Sequence, residues 1–335
     1  MTMKEHYFSS LKDVDIHSGT FVFKDVFEVF NFLRFKGWNI GWYAVPNFEV
    51  MQLDESRVVA APVPFTPLFR GQNAYFAPCL PSLYRRGWTP LEELERLVQL
   101  EDFKQILSRN PEIQDQIEGG LTVNYMGLAQ HYGIETNIID LTNSFGVAAF
   151  FATSYYDALA DCYYPVMECV KMGVIYFQPM GLFCTEFHKN NPIWPIGMEA
   201  LSRPGEQRGY GAYLREGSDF NWICPCRFFF WQNANASIRC FNLFNGGAAL
   251  FPYDPMAEKV RCIRKYRVYG KDSIIKVVDE YRDKIIWSVD EAEKRLVENG
   301  CTVLSTTPFH YTQEELSYIT NRYHRTYPGS FSNDL

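Results

Sequence analysis

Three short stretches break the hydrophobic pattern around them and collect residues able to bind or turn over a small molecule. The first is FRGQ, residues 69–72, with LPSLYRRG at 80–87 just downstream. Pro67, Leu68 and Phe69 run like a strand into a core and deliver Arg70, whose permanent charge is costly to bury without a partner. Gly71 permits a close backbone approach or a positive φ, and Gln72, Arg85 and Arg86 add donors. Such a set suits an anion: a carboxylate of the same chain, or the phosphate or carboxylate of a ligand. The second stretch is GLAQHYG at 127–133 followed by TNIIDLTNS at 136–144. Gln130 and His131 close an apolar helix, Asp140 ends a buried strand, and Thr142 and Asn143 stand where the next helix needs a cap. A helix N-terminus at a strand end is a ready anion site. The plain alternative is a cap, an Asp140–arginine pair and a core histidine. The third stretch is LSRPGEQRGYGAYLREG at 201–217, read as a loop with four glycines, three arginines and the pair Glu206–Gln207. A glutamate in such a loop suits a sugar hydroxyl or a cationic transition state, with Tyr210 and Tyr213 folding the loop over a cleft. The alternative is a solvated surface loop.

Other chemistries lack their motifs. There is no P-loop, no G-x-S-x-G elbow and no zinc-protease helix. Of nine cysteines only Cys224 and Cys226 are close, and no second pair or histidine pair stands at ligand spacing. Reduced thiols and no metal are therefore expected. The net charge is −7, and the one dense basic stretch is KVRCIRKYR at 259–267, so no extended nucleic-acid surface is expected. The N-terminal MTMKEHYFSS has no apolar signal region, and the longest apolar run, GVAAFFA at 146–152, is too short for a bilayer. A cytoplasmic chain without membrane association is the expectation.

Three groups of elements must position these clusters. Helical spacing or capping predicts helices at 25–37, 89–110, 123–133, 143–159, 271–285, 290–299 and 312–323. Thr89, Pro90, Glu92 and Glu93 make the second of these the clearest. Strands are expected at 57–63, 65–71, 136–140, 173–179 and 259–269, with short ones at FFFWQ (228–232), ASIRCF (236–241) and GAALF (247–251). Pro64 and Pro67 point to an edge position or irregular geometry for the FRG strand. Residues 180 to about 225 read as mostly loop. The aromatic content of 16% fits a thick core or a groove of stacking faces. The order has no regular βαβ rhythm and points to an α+β fold: a mixed, mostly antiparallel core of short strands flanked by helices, with a helical C-terminal segment. The expected divisions are an extension at 1–54, a main domain at 55–310, and a helix and tail at 311–335.

In that order, FRGQ, LPSLYR, LAQHYGIETNIIDLTNSFGVAAFFA and RPGEQRGYGAY resemble the successive motifs of the FRG domain, a bacterial and phage family named for its Phe-Arg-Gly triplet. CIRKYRVYGKDSIIKVVDEY and LVENGCTVLSTTPF look like the usual end of such domains. Asn137 stands where the family often has arginine, and Leu141 where it often has tryptophan. The order of arginine at a strand end, threonine at a strand–helix junction and glutamate in a late loop is similar to ADP-ribosyltransferases with an Arg-Ser-Glu signature. That likeness implies NAD as substrate and a role in bacterial defence or toxicity. Arg70 would hold a phosphate, Thr142 would position the nicotinamide ribose, and Glu206 would stabilise the oxocarbenium-like state. Gln72, Arg85, Gln130, His131, Asp140, Asn143, Gln207 and Tyr210 would complete the ligand site. The acceptor would be a protein, a nucleic acid or water. Two other readings stay open: a non-catalytic module for a nucleotide or phosphorylated ligand, and a structural Arg70–Asp140 ion pair.

Overall fold

The computed structural model describes residues 22–38, 40–42, 48–52, 58–62, 67–178, 192–196, 201–224, 226–306 and 309–326. Strand β1 (Val22–Phe23), helix α1 (Val26–Phe35) and strands β2 (Phe48–Gln52) and β3 (Val58–Pro62) precede β4 (Leu68–Gln72). Helices α2 (Pro90–Ser108), α3 (Pro111–Glu118) and α4 (Tyr125–His131) then lead to β5 (Ile138–Thr142) and α5 (Phe145–Thr153). The hairpin β6 (Ser154–Asp157) and β7 (Cys162–Pro165) is followed by β8 (Met172–Gln178), β9 (Ile193–Pro195), α6 (Ser202–Gln207), β10 (Gly209–Tyr213), α7 (Phe220–Ile223) and β11 (Arg227–Trp231). The C-terminal part carries α8 (Ala234–Leu243), α9 (Pro255–Arg264), β12 (Val268–Gly270), α10 (Lys271–Glu280), α11 (Val289–Glu298), β13 (Thr302–Leu304) and α12 (Gln313–Thr326).

Seven strands form one sheet in the order β1-β11-β8-β4-β5-β10-β9. Only the β1–β11 pair is parallel, so the α+β, mostly antiparallel expectation holds. Both faces are covered, and the central strands alternate between two apolar layers. On β8, Ile175 and Phe177 pack with Phe69, Phe145, Ala148 and Phe30 beneath α5 and α1. Val174 and Tyr176 pack the other way, with Leu68, Leu141, Tyr210 and Phe220. A separate helical layer joins α2, α4, α9, α10 and α11 around Leu97, Phe103, Leu128, Ile263 and Ile274. Helix α2 starts as its sequence requires: Thr89 and Glu92 form a reciprocal capping box ahead of Pro90.

Several expectations are corrected. The FRG strand is central, between β8 and β5, because Pro67 stops just short of the ladder that starts at Leu68. Residues 259–264 are helical. Asp254 caps Met256 N at 2.9 Å, Pro255 occupies the first turn, and Met256, Val260 and Ile263 face the core at helical spacing. Residues 236–241 lie in α8, capped by Asn233, and 247–251 are turns. Helix α5 starts at the Ser144 cap, not at Thr142 or Asn143, and gives way at Ser154 to a tyrosine-rich hairpin. Within 201–213 the expected loop is a short helix and a central strand. Residues 1–21, and 180–191 of the expected loop, lie outside the described residues.

Candidate functional site

The sheet forks beside Arg70. Strand β4 pairs with β8 along its full length, Leu68↔Gln178 to Gln72↔Val174, and β5 pairs with β10 from Thr142↔Gly209 to Ile138↔Tyr213. Between β4 and β5 the ladder contains a single pair, Phe69↔Thr142. Beyond that pair the strands diverge, and Arg70 crosses the gap by donating from Nη1 to the Asp140 carbonyl at 2.9 Å. Gly71 sets the other wall. A Cβ there would sit 1.7 Å from the Ala148 carbonyl oxygen, so the glycine serves the approach of α5 and not a positive φ.

A cavity of about 630 Å³ occupies the fork and draws on both faces of the sheet. Arg70, Gln72 and Asn73 come from β4 and its exit, Asp140 and Thr142 from β5, His131 from the end of α4, and Tyr155, Tyr156 and Tyr163 from the β6–β7 hairpin. Four polar atoms buried here have no hydrogen-bond partner among the described residues: Arg70 Nε, His131 Nε2, Asp140 Oδ1 and Ser154 Oγ. Leaving such groups unpaired typically costs about 1–3 kcal/mol each, so their convergence marks a place where a ligand or water completes the structure. The expected Arg70–Asp140 ion pair does not form. The guanidinium meets the Asp140 main chain, and no carboxylate lies within 4 Å of it among the described residues.

The surrounding bonds fix what each group offers. Thr136 Oγ1 donates to Gln130 Oε1 (2.6 Å), and Gln130 Nε2 donates to Asp140 Oδ2 (2.9 Å), leaving Oδ1 without a partner among the described residues. Gln207 Nε2 donates to the Leu250 carbonyl, so its Oε1 accepts, and His131 Nδ1 at 3.1 Å carries the proton that bonds it. His131 Nε2 is then a bare acceptor. Burial holds the histidine's pKa below its ordinary value against the pull of Asp140 and Gln207, keeping the ring neutral. Arg70, Asp140 and His131 thus all line the pocket, and each holds one buried polar atom without a partner among the described residues. Burial and the Asp140 charge also raise the Tyr163 pKa, so that phenol stays protonated. Tyr163 stacks on Phe251 at 5.2 Å between ring centres.

The same wall borders a second cavity of about 830 Å³. His131, Asp140, Phe151, Tyr156, Tyr163 and Gln207 are common to both, and Gln130, Arg203 and Arg264 face the second one.

The structure gathers most of the expected site residues and parts others from it. Arg70, Gln72, Arg85, His131, Asp140, Thr142 and Gln207 line the first cavity, and Gln130 lines the second. Thr142 is already engaged: its hydroxyl donates to the Gln207 carbonyl at 2.7 Å and accepts from Ser144 N at 3.1 Å. Arg85 sits on the rim, with Nε on the Leu80 carbonyl. Arg86 points away, paired with Glu92 and stacked on Trp88. Glu206 lines neither cavity: its side chain is 51% exposed and lies 3.8 Å from Arg322. It stands at the exposed end of α6, whereas the next residue, Gln207, turns inward. Tyr210 packs into the apolar layer behind β10, and Asn143 is buried outside both cavities. The sequence reasoning missed Asn73, Arg203, Arg264 and the hairpin tyrosines. The doublets SYYD and CYYP, alternating about a turn, were the available signal for the last of these.

Among the described residues no group of three or more His, Cys, Asp or Glu could hold a metal, and no helix is long and apolar enough to cross a membrane. Every cysteine among them is free, and burial raises the Cys224 pKa well above the thiol range.

Residues 66–160 match the FRG domain family, and the chain carries that domain. The match spans β4 through β6 and so holds the fork, Arg70, His131 and Asp140 together. Comparison with curated proteins and with solved structures gives no match.

Proposed function

We propose that this FRG-domain protein binds a nucleotide-type ligand, with NAD as the working example, in the fork between β4 and β5. The observation that supports this is the convergence of unpartnered buried polar atoms of opposite character on one aromatic-walled cavity. Arg70 Nε calls for an anionic acceptor such as a phosphate oxygen. Asp140 Oδ1 and His131 Nε2 call for donors such as ribose hydroxyls. Tyr155, Tyr156 and Phe76 supply flat faces for a base or a nicotinamide ring. The test is calorimetric titration with NAD and with AMP. Saturable binding, weakened at least about tenfold by Arg70→Gln with the melting temperature held, supports the reading. Absence of binding, or binding indifferent to Arg70→Gln, overturns it.

A second reading, turnover of NAD, is favoured by the free carboxylate oxygen of Asp140 in the same cavity as Arg70. Asp140, and not the exposed Glu206, then faces the developing oxocarbenium. Nicotinamide leaves as a neutral molecule with the electron pair of the glycosidic bond, and water or an acceptor hydroxyl adds to the sugar carbon with loss of a proton. His131 Nε2 is placed to take that proton. Incubation with labelled NAD tests it: nicotinamide release abolished by Asp140→Asn but retained in Glu206→Gln supports turnover at this cavity. Binding without release leaves a binding module.

A further inference from the structure

We infer that the second cavity is a separate anion subsite, built by Arg203 and Arg264, that takes a phosphate group lying beyond the one held by Arg70. Three guanidinium groups line this 830 Å³ space; Arg261 pairs with Glu258, whereas neither Arg203 nor Arg264 has a carboxylate within 4 Å among the described residues. Arg203 rests on the faces of Tyr132 and Phe251, 5.2 and 5.7 Å from the ring centres, and its buried Nε has no acceptor among the described residues. Arg264 gives one bond, Nη1 to the Tyr132 carbonyl at 3.2 Å, and its remaining donors are open to the cavity mouth, where solvent reaches it.

The acids nearby are committed elsewhere. Asp140 accepts from Gln130, Asp161 from the Tyr156 hydroxyl at 2.5 Å, and Glu258 from Arg261. Buried Asp254 accepts from the Tyr132 hydroxyl and from Met256 N. The lining carries four cations, Arg203, Arg261, Arg264 and Lys265, against three carboxylates, Asp140, Asp161 and Glu258, and a phosphate between Arg203 and Arg264 takes charge-assisted bonds from both. His131, Asp140, Tyr156, Tyr163 and Gln207 line both cavities, so a single ligand that reaches from Arg70 to Arg264 carries two phosphates.

The inference extends the nucleotide reading but does not depend on Arg70. The test is a calorimetric titration of the full chain with inorganic pyrophosphate at fixed salt. Two sites are expected. Arg264→Gln removes one and Arg70→Gln removes the other, each by at least about tenfold in affinity. Arg264 is solvent-accessible, so its variant should melt within about 2 °C of the parent. Arg203→Gln gives the same loss of the second site, and a shared loss in two variants of unlike burial separates binding from misfolding. One site lost in Arg264→Gln but kept in Arg70→Gln supports the subsite and sinks the Arg70 reading. One site lost only in Arg70→Gln, or no binding, overturns the subsite. Adenosine 3′,5′-bisphosphate then separates the sources. Excluding pyrophosphate from both sites marks one bridging ligand, and leaving the Arg264 site open marks a second, independent phosphate.

Discussion

Replacing Gly71 with alanine isolates the part of the FRG triplet that is structural. The added Cβ would lie 1.7 Å from the Ala148 oxygen, 2.6 Å from its carbonyl carbon and 2.9 Å from Ala152 N, all main-chain atoms of α5. No side-chain rotation relieves such a contact, so α5 or β4 must move by more than an ångström. Both belong to one buried apolar layer, with Phe69, Phe145 and Phe177 in edge or tilted contact. Overpacking a core of native density costs about 1–3 kcal/mol, and a clash with backbone places this case at or above about 3. At about 2–4 °C per kcal/mol for a larger domain, Gly71→Ala should melt about 6–12 °C lower. Differential scanning fluorimetry and a urea midpoint measure it, with Gly87→Ala as control because a Cβ there meets nothing within 4 Å. A Gly71→Ala protein melting within about 2 °C of the parent would refute the packing argument and return the glycine to ligand approach.

Further outcomes follow from the hydrogen bonds and the charges. Thr142→Ala removes a donor to Gln207 and an acceptor for Ser144 and should cost about 1–2 kcal/mol in urea denaturation, while Thr142→Ser should recover most of it. Burial pushes the Glu112 pKa up to about 8, against Arg322. A raised carboxyl gives stability that is complete below the unfolded value and lost by the time pH has risen through the folded one, so the melting temperature should fall from about pH 4.5 to about pH 8. Glu112→Gln should flatten that fall, and an unchanged slope would remove the assignment. Glu206→Gln should leave NAD affinity unchanged, because its side chain lies outside both cavities. A tenfold loss would bring the glutamate back into the site.

How much of this was legible in the sequence depends on how local the cause is. Helix α2 was visible because its cap, its proline and its first-turn acids are contiguous. The helix α4 stop at Gly133 was visible for the same reason, its φ of +78°. Residues 259–264 were misread because apolar residues at 260 and 262 mimic a strand, and the deciding Asp254–Pro255 pair lies upstream. That Arg70, His131 and Asp140 could share one cavity was legible because strand-end and helix-end polarity is written locally in FRGQ and QHYGIETNIID. Glu206 lies outside both cavities because one residue of helical rotation separates it from Gln207, and a GEQ tripeptide read as loop carries no such phase. Arg203 and Arg264 lie 61 positions apart in sequence, in segments read as loop and strand, and only tertiary packing brings them to one cavity. The fork is the least legible feature. It is a pairing that stops after one rung, and both strands satisfy their ladders on their other edges.

The most direct measurement is a crystal structure of the protein soaked with NAD. The account predicts density in the fork between β4 and β5, with a phosphate oxygen at about 2.7–3.0 Å from Arg70 Nε and a ribose hydroxyl on Asp140 Oδ1. Density bound on another face, or an Arg70 Nε that pairs with a carboxylate of its own chain while the fork holds no ligand, would contradict it.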